Sequence, residues 1–334
     1  MRIDKDEMFN KFIDILLSRG LCEKDSKEAA QNFVESSLDG MYSHGVNRFP
    51  RVIDYIDKGI IKVDNKEFVE QELGALEIIN GNLAMGNLVA KHSMDRAIKL
   101  AKKHGIGAVA IRNTNHWMRA GAYGWQAANA NCASICWTNT ISNMPAWGGI
   151  EALIGNNPIV FSIPRENKEH IVVDMAMSQF SYGKIEQMSL ENKDLPVYGG
   201  YDTKGNLTKN PNEIEKTQRP LPIGYWKGSA LSIALDLFAS LIAGGLTSPL
   251  IKEKCNIEYS ICQMMIVIDS TRLNHLQRGN TNIEETIKQI KKARRIDSNT
   301  EIRYPGEREY KTRLENKKLG IPVNQKIWDS ILKL

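Results

Sequence analysis

Apolar residues near the start of the chain recur every three to four positions, the period of a helix with one buried face. Met8, Phe9, Phe12, Ile13 and Leu16 make the first such face, and Gly20 ends it. Ser26 reads as the cap of a second helix carrying Ala29, Ala30, Phe33 and Val34, stopped by Gly40. A third helix is expected from about Val46, with Pro50 in its first turn, where proline is tolerated. Roughly the first 70 residues therefore read as helical. The middle of the chain alternates. Residues 75–79, 106–111, 133–138 and 264–268 are short apolar or β-branched runs, hence strands. Residues 87–104 form an amphipathic helix ended by Gly105. Residues 159–163 and 171–175 flank the polar stretch 165–170 and read as a hairpin, and residues 226–245 as one long helix. Charged helices return at the end. The class is α/β, with a mixed sheet in the middle and helices at both ends.

Composition narrows the picture. The 334 residues are 42% hydrophobic and 25% charged, ordinary for a globular chain, and the length allows one large domain or two closely packed ones. The start, MRIDKDEMFNKF, lacks the basic and apolar regions of a secretory signal, and the five cysteines form no CxxC pair. A cytoplasmic protein without disulfides is expected. The apolar stretch 229–245 is interrupted by Asp236 and reads as a buried helix rather than a membrane span. The net charge of +5 can steer anions toward a cleft. The densest basic run, Lys291, Lys292, Arg294 and Arg295, reads as a solvated helix face; nucleic-acid binding through it is the rival from another class.

The string Gly105-Ile-Gly107-Ala-Val-Ala110 has the form of a dinucleotide fingerprint. The fingerprint needs a strand before it and a helix after it, so that a helix end faces the pyrophosphate. Here the order is reversed, and Gly105 reads as the residue closing a helix. The segment Tyr42-Ser-His-Gly-Val-Asn-Arg48 is more informative. His44 falls on a short connection, and Arg48 follows at helical spacing, so the two share a face. A cation beside an imidazole disfavours the charged imidazole, but the pair suits an acid held by its carboxylate on Arg48, with His44 giving a proton to the neighbouring carbonyl. A structural role for the pair stays open on these residues alone. His116, in Asn113-Thr-Asn-His-Trp-Met-Arg119 directly after a strand, is either a substrate contact or a structural histidine. His92, His104 and His275 have no such company. Cys132 and Cys136 lie in an apolar strand with no matching pair, so no metal site is expected.

Nearly end to end, blocks of this chain resemble the malate/L-lactate dehydrogenase family of the sulfolactate dehydrogenase-like type. They are YSHGVNRFPR, HGIGAVAIRNTNHWMRAGAYGWQAA, ICWTNTISNMPAWG, VVDMAMSQFSYGKIE, LPIGYWKGSALSIALD and IRYPG. The resemblance implies a non-Rossmann fold, a mixed and largely antiparallel sheet with surrounding helices. It implies a helical part built from residues 1–72 with 307–334, beside a sheet-containing cofactor domain over 73–306. It implies reduction of the 2-keto group of a small sugar-derived acid, or of another acid of the malate, lactate or ureidoglycolate type, by NADH in preference to NADPH, in a homodimer. His44 would be the proton donor, and Arg48 and His116 would line the substrate pocket. The cofactor would lie along His170, Ile171, Val172, Val173, Asp174, Met175 and Ala176, with Trp226, Lys227, Gly306, Glu307 and Arg308. Read alone, Asp174 at a strand end fits either a ribose contact or a helix cap, and Lys227 at a helix start fits a phosphate. The sequence departs from the family pattern at Asn156, where threonine is usual, at His170, where an apolar residue is usual, and in a longer 165–170 hairpin.

Overall fold

A computed structural model describes residues 1–255 and 257–334, the side chain of Cys255 excepted. Asp4 accepts hydrogen bonds from the first turn of α1 (Lys5–Ser18), and its expected apolar face is buried at Met8, Phe12, Ile15 and Leu16. Helix α2 (Glu23–Leu38) starts earlier than expected, capped at Cys22. Glu23 and Asp25 favour a helix start there through their charge, and Ser26 sits a turn inside, bonded to Leu21 O. Helix α3 (Phe49–Asp57) takes Pro50 in its first turn. Phe12 stacks on Phe49 at 3.9 Å and Phe33 meets Phe49 edge-on at 5.2 Å, the centre of one apolar core. The chain end closes that core. Strand β1 (Arg2–Ile3) pairs with β13 (Ile321–Pro322), and helix α12 (Gln325–Leu332) buries Trp328 and Ile331 in it.

The strands β2 (Phe68–Leu73), β3 (Leu76–Asn80), β4 (Ile106–Thr114), β5 (Cys132–Thr138), β8 (Ile159–Ile163), β9 (Ile171–Met175) and β12 (Ile261–Asp269) form one sheet in the order β2-β3-β4-β12-β5-β8-β9. Short pairs lie outside it, β6 (Met144–Pro145) with β7 (Ala152–Ile154) and β10 (Gly200–Tyr201) with β11 (Leu207–Thr208). Only β3 and β4 run parallel, joined by the crossover helix α4 (Gly86–His104); the other neighbours in the sheet are antiparallel. The fold is the mixed, largely antiparallel one expected. Strand β2 lies in the segment expected to be helical, and the boundary expected at residue 72 cuts it. Its side chains are mostly exposed on the sheet edge, so it carries no apolar run to read.

Alternation along the central strands sends Val109, Ile111, Met265 and Val267 to one face, against α4 and α5 (Gly121–Asn129). Ala110, Met264 and Trp137 go to the other face, against α8 (Trp226–Ala243). Helices α6 (Tyr182–Leu190) and α7 (Pro211–Thr217) make a small separate cluster around Ile185, Leu195 and Ile214. Helix α8 was expected to be buried, and only one side of it is. Ser232, Asp236 and Ala239 face inward, where Asp236 accepts from Asn139 Nδ2 at 2.7 Å and from the first backbone N–H of α9 (Ser248–Cys255) at 2.9 Å. Leu237 and Leu241 face outward, 54% and 79% exposed. Among the described residues α8 is also the one helix long and apolar enough to cross a membrane by length and composition.

Helix α10 (Leu276–Lys292) ends before Arg294 and Arg295, so the basic run is not one helical face. Lys291 instead pairs with Glu307 of α11 (Glu307–Leu319). Cys22, Cys132, Cys136 and Cys262 are free thiols, while Cys255 lies outside the described side chains.

Candidate active site

The loop after α2 is set by close packing. Gly40, with φ +79°, ends the helix, and a short 3-10 turn over Tyr42–His44 follows. A Cβ on Gly45 would collide with Ser37 Oγ, and that hydroxyl accepts Val46 N–H at 2.9 Å. The residue after His44 is thus a glycine because the loop lies directly on α2. His44 and Arg48 do not share one helix, as their spacing predicted. The chain turns at Gly45, and Arg48 is the cap residue of α3. Both side chains nevertheless reach one half-buried space.

The second loop follows β4. Asn115 Nδ2 donates to Leu83 O and Ala84 O, and Met118 N–H donates to His116 Nδ1 at 2.8 Å. Arg119, fully buried, pairs with the equally buried Asp39, which also takes Arg313 of α11. That network holds the two loops together, and the rings of His44 and His116 lie roughly parallel with centroids 5.7 Å apart. Burial, then the charges of Arg48 and Arg119, holds His44 down at about 4. Burial, then Arg48 and His44, holds His116 well below the ordinary imidazole range. Both rings are neutral at neutral pH in the free protein. Arg48 Nε is buried without a hydrogen-bond partner, a donor left for a ligand.

Glu258, just before β12, completes the pocket. Its Oε2 accepts Ile141 N–H at 3.2 Å, and its Oε1 lies 3.7 Å from His116 Nε2. Neither Glu258 nor the Asp39–Arg119 pair was singled out from the sequence. Arg119 stands in the same block as His116, but nothing in spacing links it to Asp39, and Glu258 lies in an unpatterned connection.

The residues expected to hold a cofactor lie along the outer edge of β9. Val172 N–H donates to Pro305 O at 3.1 Å, which brings Gly306 against the strand. Beyond β9, Ile223 N–H donates to Met177 O at 2.8 Å, which brings in the chain leading to Trp226 and Lys227. Ile171, Val173, Met175 and Ala176 follow the same edge. His170 is fully buried, with Nδ1 accepting Arg165 N–H and Nε2 against Asn129, so its ring has no nitrogen left for a ligand. Asp174 accepts Gly121 N–H at 2.8 Å and caps α5, the helix-cap alternative, though for a helix distant in sequence. Glu307 pairs with Lys291 and Lys311 through Oε1, leaving Oε2 buried without a partner. Arg308 is exposed and meets Glu309. Lys227 is exposed and makes no ion pair among the described residues, and Ser178 Oγ is buried without a partner. Residues 105–110 lie elsewhere, in a helix end and a strand, with no phosphate turn. His92 is satisfied between Glu28 and Glu67.

The family model of malate/L-lactate dehydrogenase matches residues 3–332. The chain is 43% identical over 334 residues, all of both chains, to 2,3-diketo-L-gulonate reductase of Citrobacter koseri, and equally so to that of Salmonella typhimurium. Among solved structures it is similar to malate dehydrogenase from Entamoeba histolytica, with TM-score 0.94 and 25% identity over 100% of this chain and 96% of that one. Sulfolactate dehydrogenase from Methanocaldococcus jannaschii gives 0.90 and 29%, over 100% and 96%. Fold and relatives together define a class, the nicotinamide-dependent oxidoreductases of 2-hydroxy acids whose fold is not Rossmann. The chain belongs to the malate/L-lactate dehydrogenase family.

Proposed function

We propose that the chain reduces the 2-keto group of 2,3-diketo-L-gulonate to 3-dehydro-L-gulonate, with NADH rather than NADPH. The observation that carries this reading is the convergence of His44, His116 and Arg48 on one pocket, in a chain alike over its whole length to reductases of that acid. Arg48 holds the carboxylate with its planar fork, His44 gives the proton to the carbonyl oxygen, and His116 lines the pocket. Bound nicotinamide supplies the hydride. Its dinucleotide fits residues 170–176, 226–227 and 306–308. The unpartnered Ser178 Oγ and Glu307 Oε2 are free to bond hydroxyls, and the unpaired Lys227 at the start of α8 suits a phosphate. His170 would contribute backbone only. The anionic Glu307 favours a ribose hydroxyl over a further phosphate, hence NADH.

The chain works as a cytoplasmic homodimer on a small acid, with no nucleic-acid or membrane partner. Free thiols support the compartment, and the apolar outer face of α8 supports the second copy. The test follows the absorbance of NADH and NADPH with 2,3-diketo-L-gulonate beside a panel of malate-, lactate- and ureidoglycolate-type keto acids. Fastest turnover with 2,3-diketo-L-gulonate and NADH is expected. Preference for another acid of the panel would refute the substrate, and preference for NADPH the cofactor.

A further inference from the structure

A proton donor is needed for the reduction, yet both pocket histidines are neutral in the free protein. The groups facing them show what changes when an acid binds. Arg48 and Arg51 face the pair from the start of α3, and Tyr55 lies beside Arg48. Arg119 comes from the loop after β4 and also acts on His44, but Asp39 and Glu35 offset it together with Arg313 in one buried network, and Asp174 lies near enough to feel its charge. Ser43 Oγ, uncharged, lies 3.0 Å from His44 Nδ1. That leaves Arg48 and Arg51 as the cations and Glu258 as the one carboxylate beside the rings among the described residues; burial pushes its pKa up, and Arg48 and Arg51 pull it back toward the charged form.

The geometry of Glu258 is fixed. Ile141 N–H holds one carboxylate oxygen. Because Met118 N–H occupies His116 Nδ1, the neutral ring carries its hydrogen on Nε2, which faces the other oxygen across 3.7 Å. That separation is longer than a hydrogen bond and short enough for charge to act. A substrate carboxylate on Arg48 would cancel the nearest cation. Two anions would then face two cations, and a proton on the histidine pair would no longer be opposed. Without Glu258 the same proton would still meet an excess of positive charge.

We infer that Glu258 is a positioning residue for the reduction, the anchored counter-charge that lets the His44–His116 pair take up one proton as the acid engages Arg48. The inference rests on the keto-acid reading above. The two rings titrate as a unit, and the proton taken up leaves from His44 to the carbonyl oxygen as hydride reaches the carbon.

Glu258→Gln keeps the acceptor for Ile141 N–H and removes the charge. The histidine limb of the kcat profile, which reports the substrate-bound complex, should move down by about one pH unit in both directions of the reaction. Reduction on the alkaline side then falls by about tenfold, while oxidation extends to more acid pH. Loss of packing alone would lower both directions at every pH. Glu258→Asp, which keeps the charge, should return the limb toward wild type. A measurement on the unaltered holoenzyme stands beside this, should the glutamine variant not fold. Oxamate, an isostere of a 2-keto acid, is titrated into the NADH-loaded protein in buffers of different protonation enthalpy, and uptake of close to one proton is expected. Profiles that superimpose after scaling, or oxamate binding without proton uptake, overturn the inference. Absence of turnover with any 2-keto acid would instead defeat the functional reading itself.

Discussion

His44 and Arg48 make separable demands on the reaction. In the proposed reaction His44 meets the reacting oxygen and nothing of the cofactor track, so His44→Ala should lower kcat by about 10²–10⁴-fold with NADH affinity unchanged. Single-turnover rates beside NADH fluorescence titration check this, and a kcat near wild type would remove His44 from the mechanism. Arg48→Lys keeps the charge but loses the fork, including the buried Nε donor that has no protein partner. Binding of 2-keto acids should weaken by roughly 1–3 kcal/mol, read as a rise in KM; an unchanged KM would show that the carboxylate is held elsewhere. These residues were legible because their neighbours are constrained. Gly45 must be glycine against Ser37, so histidine and arginine stand in a motif that spacing reveals. Glu258 was not legible, because what it does depends on Ile141 and His116, both more than a hundred residues away in the chain.

At the scale of elements, the join between α4 and β4 and the start of α8 make opposite forecasts. Gly105 has φ +91° with open space around its Cβ position, so Gly105→Ala costs only the backbone strain, about 1 kcal/mol. NADH binding should not move, because the residue closes a helix. Lys227→Ala should do the converse, weakening NADH by roughly 1–3 kcal/mol with little change in melting temperature, since the side chain is exposed and unpaired. NADH titrations beside thermal melts of both variants decide it; a large loss of NADH affinity in the glycine variant with none in the lysine variant would reverse the assignment. Helices and central strands were legible wherever burial imposes a period. The edge strand β2 was not, because most of its side chains meet solvent and carry no alternation. The start of α2 was misplaced for a related reason. Ser26, the residue type that caps helices, is buried there by tertiary packing, and acidic residues before it open the helix instead.

For the whole molecule, the layers followed from the alternation of apolar runs, but a partner surface has no signature of its own in a sequence. Helix α8 reads in the sequence as an apolar helix interrupted by Asp236, with neither side marked as the outer one. The structure shows its polarity inverted, with Ser232 and Asp236 buried against α9 and the sheet while Leu237, Phe238 and Leu241 face out. A contiguous exposed apolar face on a helix packed into a chain's core marks a contact with a partner chain, a membrane or a ligand. A second copy burying that face fits the proposed homodimer, and Leu241, the most exposed of the three, tests it with least disturbance to the fold of the chain. Leu241→Glu would place a charge in the contact without touching the inward residues. Sedimentation should give twice the chain mass for wild type and the chain mass for the variant, with circular dichroism unchanged. The variant's melting temperature should also become independent of protein concentration, where that of wild type rises with it, because dimerisation stabilises by mass action. A monomeric wild type at assay concentration, or a variant that still sediments as a dimer, would move the contact away from α8.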